Sequence, residues 1–446
     1  MTFTLAGTCI FDDTFYLSEN DAYVNFDESY KDDDSGSSPN SVFVSIPSSN
    51  LVRGKKVLSG ENIETNRTNF TVLEDGWQIN NGGFLYESNA ESSENRFYYV
   101  DPQTSCAAPE PGDYDKPYKT LQAAVDAVVL ANKTENDKEY TIYVLNNIEG
   151  SDSEPGIKNN SLVYVDSGSD KLRLAVEPFG SYAEINAARN SSSSVKYRIF
   201  YITGNVKFVI SRLNLYGGYA EGNGGAIYLN GTAGAELTLE NCTVGKSNPQ
   251  IEALQDGVQN QTYSPDETNC SNCADEGGGI YVEGGPGLTL NSTKVLNCFA
   301  KSSSGGGGGI SVDSSYLSID GGSEIYANGS AGPNGVAVCA KKSEIYFNDG
   351  IVRHHYAKET VMAAVPGIYL FDSTLDIYDG EIRDNYYPKA NFGSGIFIGG
   401  SNSSVSMYGG SVSNNSSVSE NVQSCDIGYS VSVSAPVVSL SGGCLC

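Results

Sequence analysis

Across residues 224–415 the chain is a succession of short runs in which apolar and polar positions alternate, broken by glycine pairs and by Asp-Gly or Asn-Gly steps. One kind of run follows the glycines: "GGAIYLNG" (224–231), "GGGIYVEG" (277–284), "GGGISVDS" (307–314), "NGVAVCAK" (334–341), "PGIYLFDS" (366–373) and "SGIFIGGS" (394–401). A second kind comes downstream: "ELTLENCTV" (236–244), "LTLNSTKVLNC" (288–298), "YLSIDGGSEIYAN" (316–328), "TLDIYDGEIRDN" (374–385) and "SVSMYGGSVSNN" (404–415). Alternation with period two, rich in β-branched and aromatic residues, predicts strands rather than helices. The paired glycines predict backbone that bends sharply before each strand.

Anchoring each copy on its first apolar residue gives Ile227, Ile280, Ile310, Val336, Ile368 and Ile396, with every interval after the first between 26 and 32 residues. The longer first interval contains a polar insert, about 248–276. A period of this size identifies a solenoid whose coils bury apolar surface only by stacking. Two or three strands per repeat and no helix leave a parallel β-helix. An aliphatic residue followed three positions later by asparagine recurs at Asn328, Asn385 and Asn415, and His355 stands in the same slot. Stacked once per coil, these side chains form a structural ladder inside a turn.

Ahead of the repeats, Leu121, Ala124, Val125, Val128 and Val129 fall on one helical face. A helix over about 119–131 is therefore expected to cover the open end of the solenoid, an edge that would otherwise invite aggregation. "TIYVL" (141–145), "LRLAV" (172–176), "YRIFYIT" (197–203) and "KFVISRLNLYGG" (207–218) supply the first strands. Residues 1–96, with the strand-like "SVFVSI" (41–46) and an acidic run at 31–34, read as a separate, small β-rich module.

The order of strand, "PYKTLQAAV" (117–125), further strands and then "GGAI" (224–227) resembles the pectin-lyase-like superfamily. That resemblance implies an all-β, right-handed parallel β-helix over 97–446 with an N-terminal capping helix. The Gly-Gly-Ala-aliphatic repeats with a downstream aliphatic-x-x-Asn resemble those of chlamydial polymorphic outer membrane proteins and related bacterial or protist surface proteins. The aromatic of the Phe-x-x-Asn pattern is mostly aliphatic here.

A net charge of −27 and a pI near 4.3 argue against binding nucleic acid or an anionic membrane. No apolar run approaches the roughly 18 residues of a membrane helix. The start lacks a basic leader region and the end breaks off within a repeat, so the chain is expected to be a fragment whose secretion signal and anchor lie outside it. In an extracellular protein Cys242, Cys270, Cys273 and Cys298 are candidates for disulfides, and Asn66, Asn132, Asn230, Asn291 and Asn328 for glycosylation. Cys270-x-x-Cys273 has no second pair to complete a zinc site, so no metal is expected.

Two function classes compete. The first is a non-catalytic adhesive or structural protein at the cell surface, meeting a host or neighbouring cell through a glycan or matrix protein. It requires no cofactor, can self-associate through solenoid ends, and uses the insert as its binding loop. The alternative is a polysaccharide lyase or glycoside hydrolase on an acidic glycan, with calcium required only by the lyase. Aligning "NDGIVRHH" (348–355) with "YDGEIRDN" (378–385) gives that alternative its site: Arg353, His354, Arg383 and Asp384, with Asp349 beside Asp379. Asp-Gly is also ordinary turn chemistry, and the arginines also serve simply to neutralise acidic neighbours.

Overall fold

The computed structural model describes residues 97–114, 116–134, 138–150, 160–187, 196–231, 234–258, 261–356, 365–388 and 394–417, with short stretches between 2 and 87 and between 427 and 445. The acidic run at 31–34 and Asn66 lie outside the described residues. Two compact units are formed: Met1–Lys119 with Thr141–Leu145 and Pro178–Tyr182, and Thr120–Tyr140, Asn146–Glu177 and Ala183–Cys446.

In the first unit, strands Thr2–Leu5, Tyr23–Phe26 and Leu58–Gly60 pair in parallel in that order, as do Thr14–Tyr16, Val42–Ser45 and Phe70–Val72. The described strands before residue 97 thus pair largely in parallel, and the compact unit they belong to extends past 96 to Lys119. Phe97–Val100 pairs in parallel with Thr141–Val144. There Tyr99, Tyr143 and Phe179 form a buried aromatic cluster, with Phe97, Tyr114 and Leu145 packed against it.

The second unit is a parallel β-solenoid. One sheet has nine strands from Ser161–Asp166 to Ile427–Tyr429, and another has ten from Ile148–Glu149 to Cys444–Leu445. A third runs from Leu172–Pro178 to Val437–Leu440. Each coil contributes one strand to each sheet, and identical positions stack. Leu239, Leu290, Ile319, Phe347, Ile377 and Met407 form one inward file, every member 0% exposed. Leu215, Val244, Val295, Ile325, Val352, Ile382 and Val412 form another. This continuous core is what period-two patterning provides when every coil keeps register.

The glycine pairs divide two tasks. Gly277 has φ +59, in the left-handed region, while a Cβ on Gly278 would stand 2.4 Å from the Phe299 carbonyl carbon and 2.5 Å from the Gly308 oxygen. The second glycine therefore lets the next coil pass. In the fourth copy Val336 occupies that second-glycine slot, and the strand register pairs Ile310 with Val338 and Val338 with Ile368. The anchor expected at Val336 is thus corrected to Val338. Both valines are 0% exposed, and apolar patterning cannot separate positions two apart.

Helix α1 spans Leu121–Asn132, and its N-cap Thr120 accepts from the Ala123 amide. It covers the edge strand Ser161–Asp166. Gln122 Oε1 accepts from Tyr164 N at 2.6 Å, and Gln122 Nε2 donates to Tyr164 O at 3.1 Å. A side-chain amide here substitutes for the missing neighbouring strand.

At the corners after five successive strands of the ten-stranded sheet, from Lys294–Leu296 to Ser411–Ser413, a left-handed residue precedes a buried polar one. Asn297, Ala327, His354, Asp384 and Asn414 have φ between 53° and 57°, and Cys298, Asn328, His355, Asn385 and Asn415 follow them. Each asparagine donates to and accepts from the backbone of the coil before it. Asn328 Nδ2 donates to Val295 O, Asn385 Nδ2 to Val352 O and Asn415 Nδ2 to Ile382 O, at 2.8–3.2 Å. Asn328 Oδ1 accepts from Cys298 N, Asn385 Oδ1 from His355 N and Asn415 Oδ1 from Asn385 N, at 2.9–3.2 Å.

His355 keeps the sequence going because neutral imidazole also has one donor and one acceptor. Its Nδ1 lies 2.9 Å from Asn385 Oδ1 and its Nε2 lies 3.3 Å from Asn328 Nδ2, so Nδ1 carries the proton and Nε2 accepts. Burial pushes its pKa down to about 3 from 6.5. A second file, which alternation alone did not flag, turns another corner: Ser343 Oγ, Ser373 Oγ and Ser403 Oγ accept from Ser315 N, Ser343 N and Ser373 N at 3.0–3.2 Å.

Because the folded state holds His355 neutral, the unfolded chain binds more protons below about pH 6.5, and stability falls as pH drops toward 3. His355→Asn preserves the ladder chemistry without the titration. Between pH 7 and about pH 5 it is expected to lose about 2 kcal/mol less than the unsubstituted chain. Paired denaturant titrations at the two pH values measure the difference; parallel losses would contradict the assignment.

Candidate functional site

The insert is a folded strap laid along the coils. Asn248 caps a single helical turn, α2 (Pro249–Glu252), its Oδ1 accepting from Gln250 N and Ile251 N. Ile251, 4% exposed, packs on Leu296 and Ala327 of two successive coils. Tyr263 Oη donates to Asn297 Oδ1 at 2.8 Å and accepts from Asn248 Nδ2 at 2.8 Å. Farther along, Gly257 N donates to Asp384 Oδ2 at 3.1 Å. The strap is shorter than 248–276. Asn272–Ala274 is already a strand, paired with Cys298–Ala300, and Asn272 supplies a ladder rung through Gly218 N and Leu215 O.

Its tip meets the residues that the repeat alignment brings together. The strand register pairs Arg353 with Arg383. Asp256 sits over both: its Oδ1 is 3.2 Å from Arg353 Nη1 and 3.0 Å from Arg383 Nη1, and its Oδ2 is 3.1 Å from Arg383 Nη2. Arg353 Nη2 also donates to Glu324 at 2.7 Å, and Arg383 contacts Glu381 at 2.5 Å and Asp384 Oδ2 at 2.6 Å. Asn414 donates to the other Asp384 oxygen. The hydrogen bond from Arg383 holds the Asp256 carboxyl below its usual range. Arg383 is raised even though burial opposes it, through its bonds to Asp256, Glu381 and Asp384.

His354 lies beneath this network, with its side chain 0% exposed. Its Nε2 is 3.0 Å from Asp256 Oδ1 and 3.8 Å from Asp384 Oδ2, yet neither ring nitrogen has the angular geometry of a hydrogen bond. Burial, reinforced by Arg353, pushes its pKa down to about 4, so the imidazole is neutral at pH 7. Asp349 and Asp379 are exposed at the Asp-Gly turns and take no part in the network.

Other expected positions have structural tasks. None of Cys242, Cys270, Cys273 and Cys298 forms a disulfide in the structure. Cys298 takes an asparagine-ladder slot, with Sγ 3.2 Å from Leu296 O, and Cys242 stands at a further corner in register with Thr293 and Ser323, with Sγ 3.2 Å from Ile210 O. Burial pushes the Cys242 thiol up to about 11 and raises Cys298 as well. Cys270 and Cys273 are buried against Tyr219 and Phe299. Asn132 and Asn328 are 2% and 0% exposed and hydrogen-bonded to Lys171 O and Val295 O, which removes them as glycosylation acceptors on the folded chain. Asn291 is exposed, and Asn230 Nδ2 contacts Tyr228 Oη and Glu283 on the solenoid surface. Tyrosine rings also meet between coils in tilted and edge-on contacts, in the sequence Tyr164, Tyr201, Tyr228 and Tyr281, with centroid separations of 4.8–5.6 Å.

Sequence patterning did not find Asp256, Cys298 as a rung, or the serine file. The serines had a readable signal, a recurrence every 28 to 30 residues at 315, 343, 373 and 403. Asp256 had none, because its partners lie far along the chain. No protein-family model matches the chain, nor does any curated protein or solved structure. What is defined is a class: an all-β protein built on a parallel β-solenoid with a side strap.

Removing the buried Asp384 carboxylate takes its acceptor from the Gly257 amide and leaves Arg383 with Asp256 and Glu381 alone. Asp384→Ala is expected to cost about 1–3 kcal/mol in chemical denaturation. Asp256, with a side chain 58% exposed, anchors only the strap. Asp256→Asn is expected to speed proteolysis within 249–269 while barely moving the global unfolding midpoint.

Proposed function

We propose that this chain is an extracellular or cell-surface solenoid with an adhesive or structural, non-catalytic role, and that the strap is its contact surface toward a glycan or matrix protein. The observation that carries this reading is the fold of the strap. Its inner residues Ile251, Asp256 and Gly257 engage successive coils, while Glu252, Gln255 and Val258 face outward. A loop already ordered in this way loses little conformational entropy on binding. The resemblance of the repeats to bacterial and protist surface proteins points the same way.

The burial of the polar cluster favours this reading over the polysaccharide enzyme. His354 and Asp384 have side chains 0% and 1% exposed, and Arg353 and Arg383 are held by carboxylates. A general acid or base must reach within hydrogen-bonding distance of the polymer. Among the described residues no helix is long and apolar enough to cross a membrane. The resemblance to the pectin-lyase-like superfamily contributes fold expectations alone, since fold does not fix chemistry.

Two surface-binding assays on glycan and matrix-protein arrays test the proposal. The full chain is expected to bind a subset of them, and a variant in which a short Gly-Ser linker replaces 249–269 is expected to lose at least tenfold in affinity. Equal binding by the two proteins would overturn the strap's role. Release of reducing ends or unsaturated products from the same glycans would overturn the non-catalytic assignment.

A further inference from the structure

The polar cluster contains a group that the ion pairs leave unused. His354 is 3% exposed, and neither of its ring nitrogens makes a hydrogen bond. A buried imidazole in that condition forfeits the interactions it had with water. Its Nε2 lies close to two carboxylate oxygens, Asp256 Oδ1 at 3.0 Å and Asp384 Oδ2 at 3.8 Å, and the three donors lie within 4.8 Å of one another. Bonds of about 2.0–2.2 Å to a common ion would put neighbouring donors roughly 3 to 3.6 Å apart, so small side-chain adjustments suffice.

We propose that Asp256, His354 and Asp384 form a binding site for one divalent transition-metal cation of zinc-like preference, and that the cation latches the strap to the coils. One imidazole nitrogen with two carboxylates suits zinc or cobalt, while calcium, which takes six to eight oxygens, is a poor match. The ligands come from the strap and from two successive coils, so binding ties together three segments that the chain's order keeps apart.

Arg383 occupies the competing position. Its Nη1 contacts the same two oxygens, Asp256 Oδ1 at 3.0 Å and Asp384 Oδ2 at 2.6 Å, while its Nε is held by Glu381. In the metal-free protein the guanidinium thus neutralises the carboxylates. On metal binding its Nη1 gives way and the Glu381 contact keeps the side chain nearby. With Glu324 and Glu381 counted, four carboxylates surround Arg353 and Arg383, a local excess of negative charge that accommodates the cation.

Titration of the full chain with Co2+, followed by visible absorption and then Zn2+ competition, tests the site. One equivalent is expected to bind with a ligand-field spectrum lacking thiolate charge transfer. Asp256→Asn, on the exposed strap, and His354→Asn, at a left-handed position that asparagine tolerates, should each weaken binding at least tenfold. Arg383→Gln should tighten it by a similar factor. Failure of both the unsubstituted chain and Arg383→Gln to bind Co2+, binding undiminished in the two Asn variants, or a thiolate charge-transfer band would each overturn the proposal. The site stands or falls independently of what the strap recognises.

Discussion

The structure depends on one constraint: at every corner of a parallel solenoid the backbone leaves a sheet, and its amides must find partners in the coils above and below. Buried main-chain groups left unpaired cost more than a hydrogen bond gains. This protein meets the constraint with a polar slot repeated once per coil. Asn328, Asn385 and Asn415 each accept from a backbone amide and donate to a backbone carbonyl of the preceding coil, and His355 links the asparagines on either side of it through its two ring nitrogens. Cys298 tolerates the slot because its thiol can turn to a backbone oxygen.

The same corner geometry creates the polar cluster. Cys298, Asn328, His355, Asn385 and Asn415 each follow a residue with positive φ, and that reversal sends adjacent side chains in opposite directions. His355 and Asn385 enter the ladder, while His354 and Asp384 stand beneath the strap beside Arg353 and Arg383. Stacking at one coil per rung brings the two arginines together, a like-charge pair that would be unfavourable alone. Asp256 offsets it from the strap. The charges therefore serve to fix an irregular segment onto a regular one: Arg353, Arg383 and Asp384 are largely removed from water, while Asp256 meets them from the solvent side.

Much of the fold was legible because period-two alternation, the glycine pairs and the Asn-x-x spacing all report local geometry that repeats. The slip at Val336 shows the limit: with two buried valines two positions apart and the second glycine replaced, apolar pattern cannot fix the register. The alignment of 348–355 with 378–385 did bring the cluster's coil-borne residues together. It could not supply Asp256, whose position depends on a long insert folding back over coils it does not adjoin in sequence. Nor could it tell a disulfide-forming cysteine from a turn-filling one, since Cys242 and Cys298 are identified by the carbonyls their thiols meet. The exposed turn residues Asp349 and Asp379 read the same in sequence as the buried Asp384, and only packing separates them.

Amide hydrogen exchange across the strap tests most directly whether this insert is a built part of the solenoid. Protection is expected at Ile251, whose amide is bonded to Asn248, and at Gly257, whose amide is bonded to Asp384. Both should exchange more slowly than an unstructured peptide of the same sequence, and Gly257 should lose its protection in Asp384→Ala, which removes the acceptor. Exchange at the unstructured rate throughout 249–258 would contradict the account, leaving a regular solenoid with a loose polar loop.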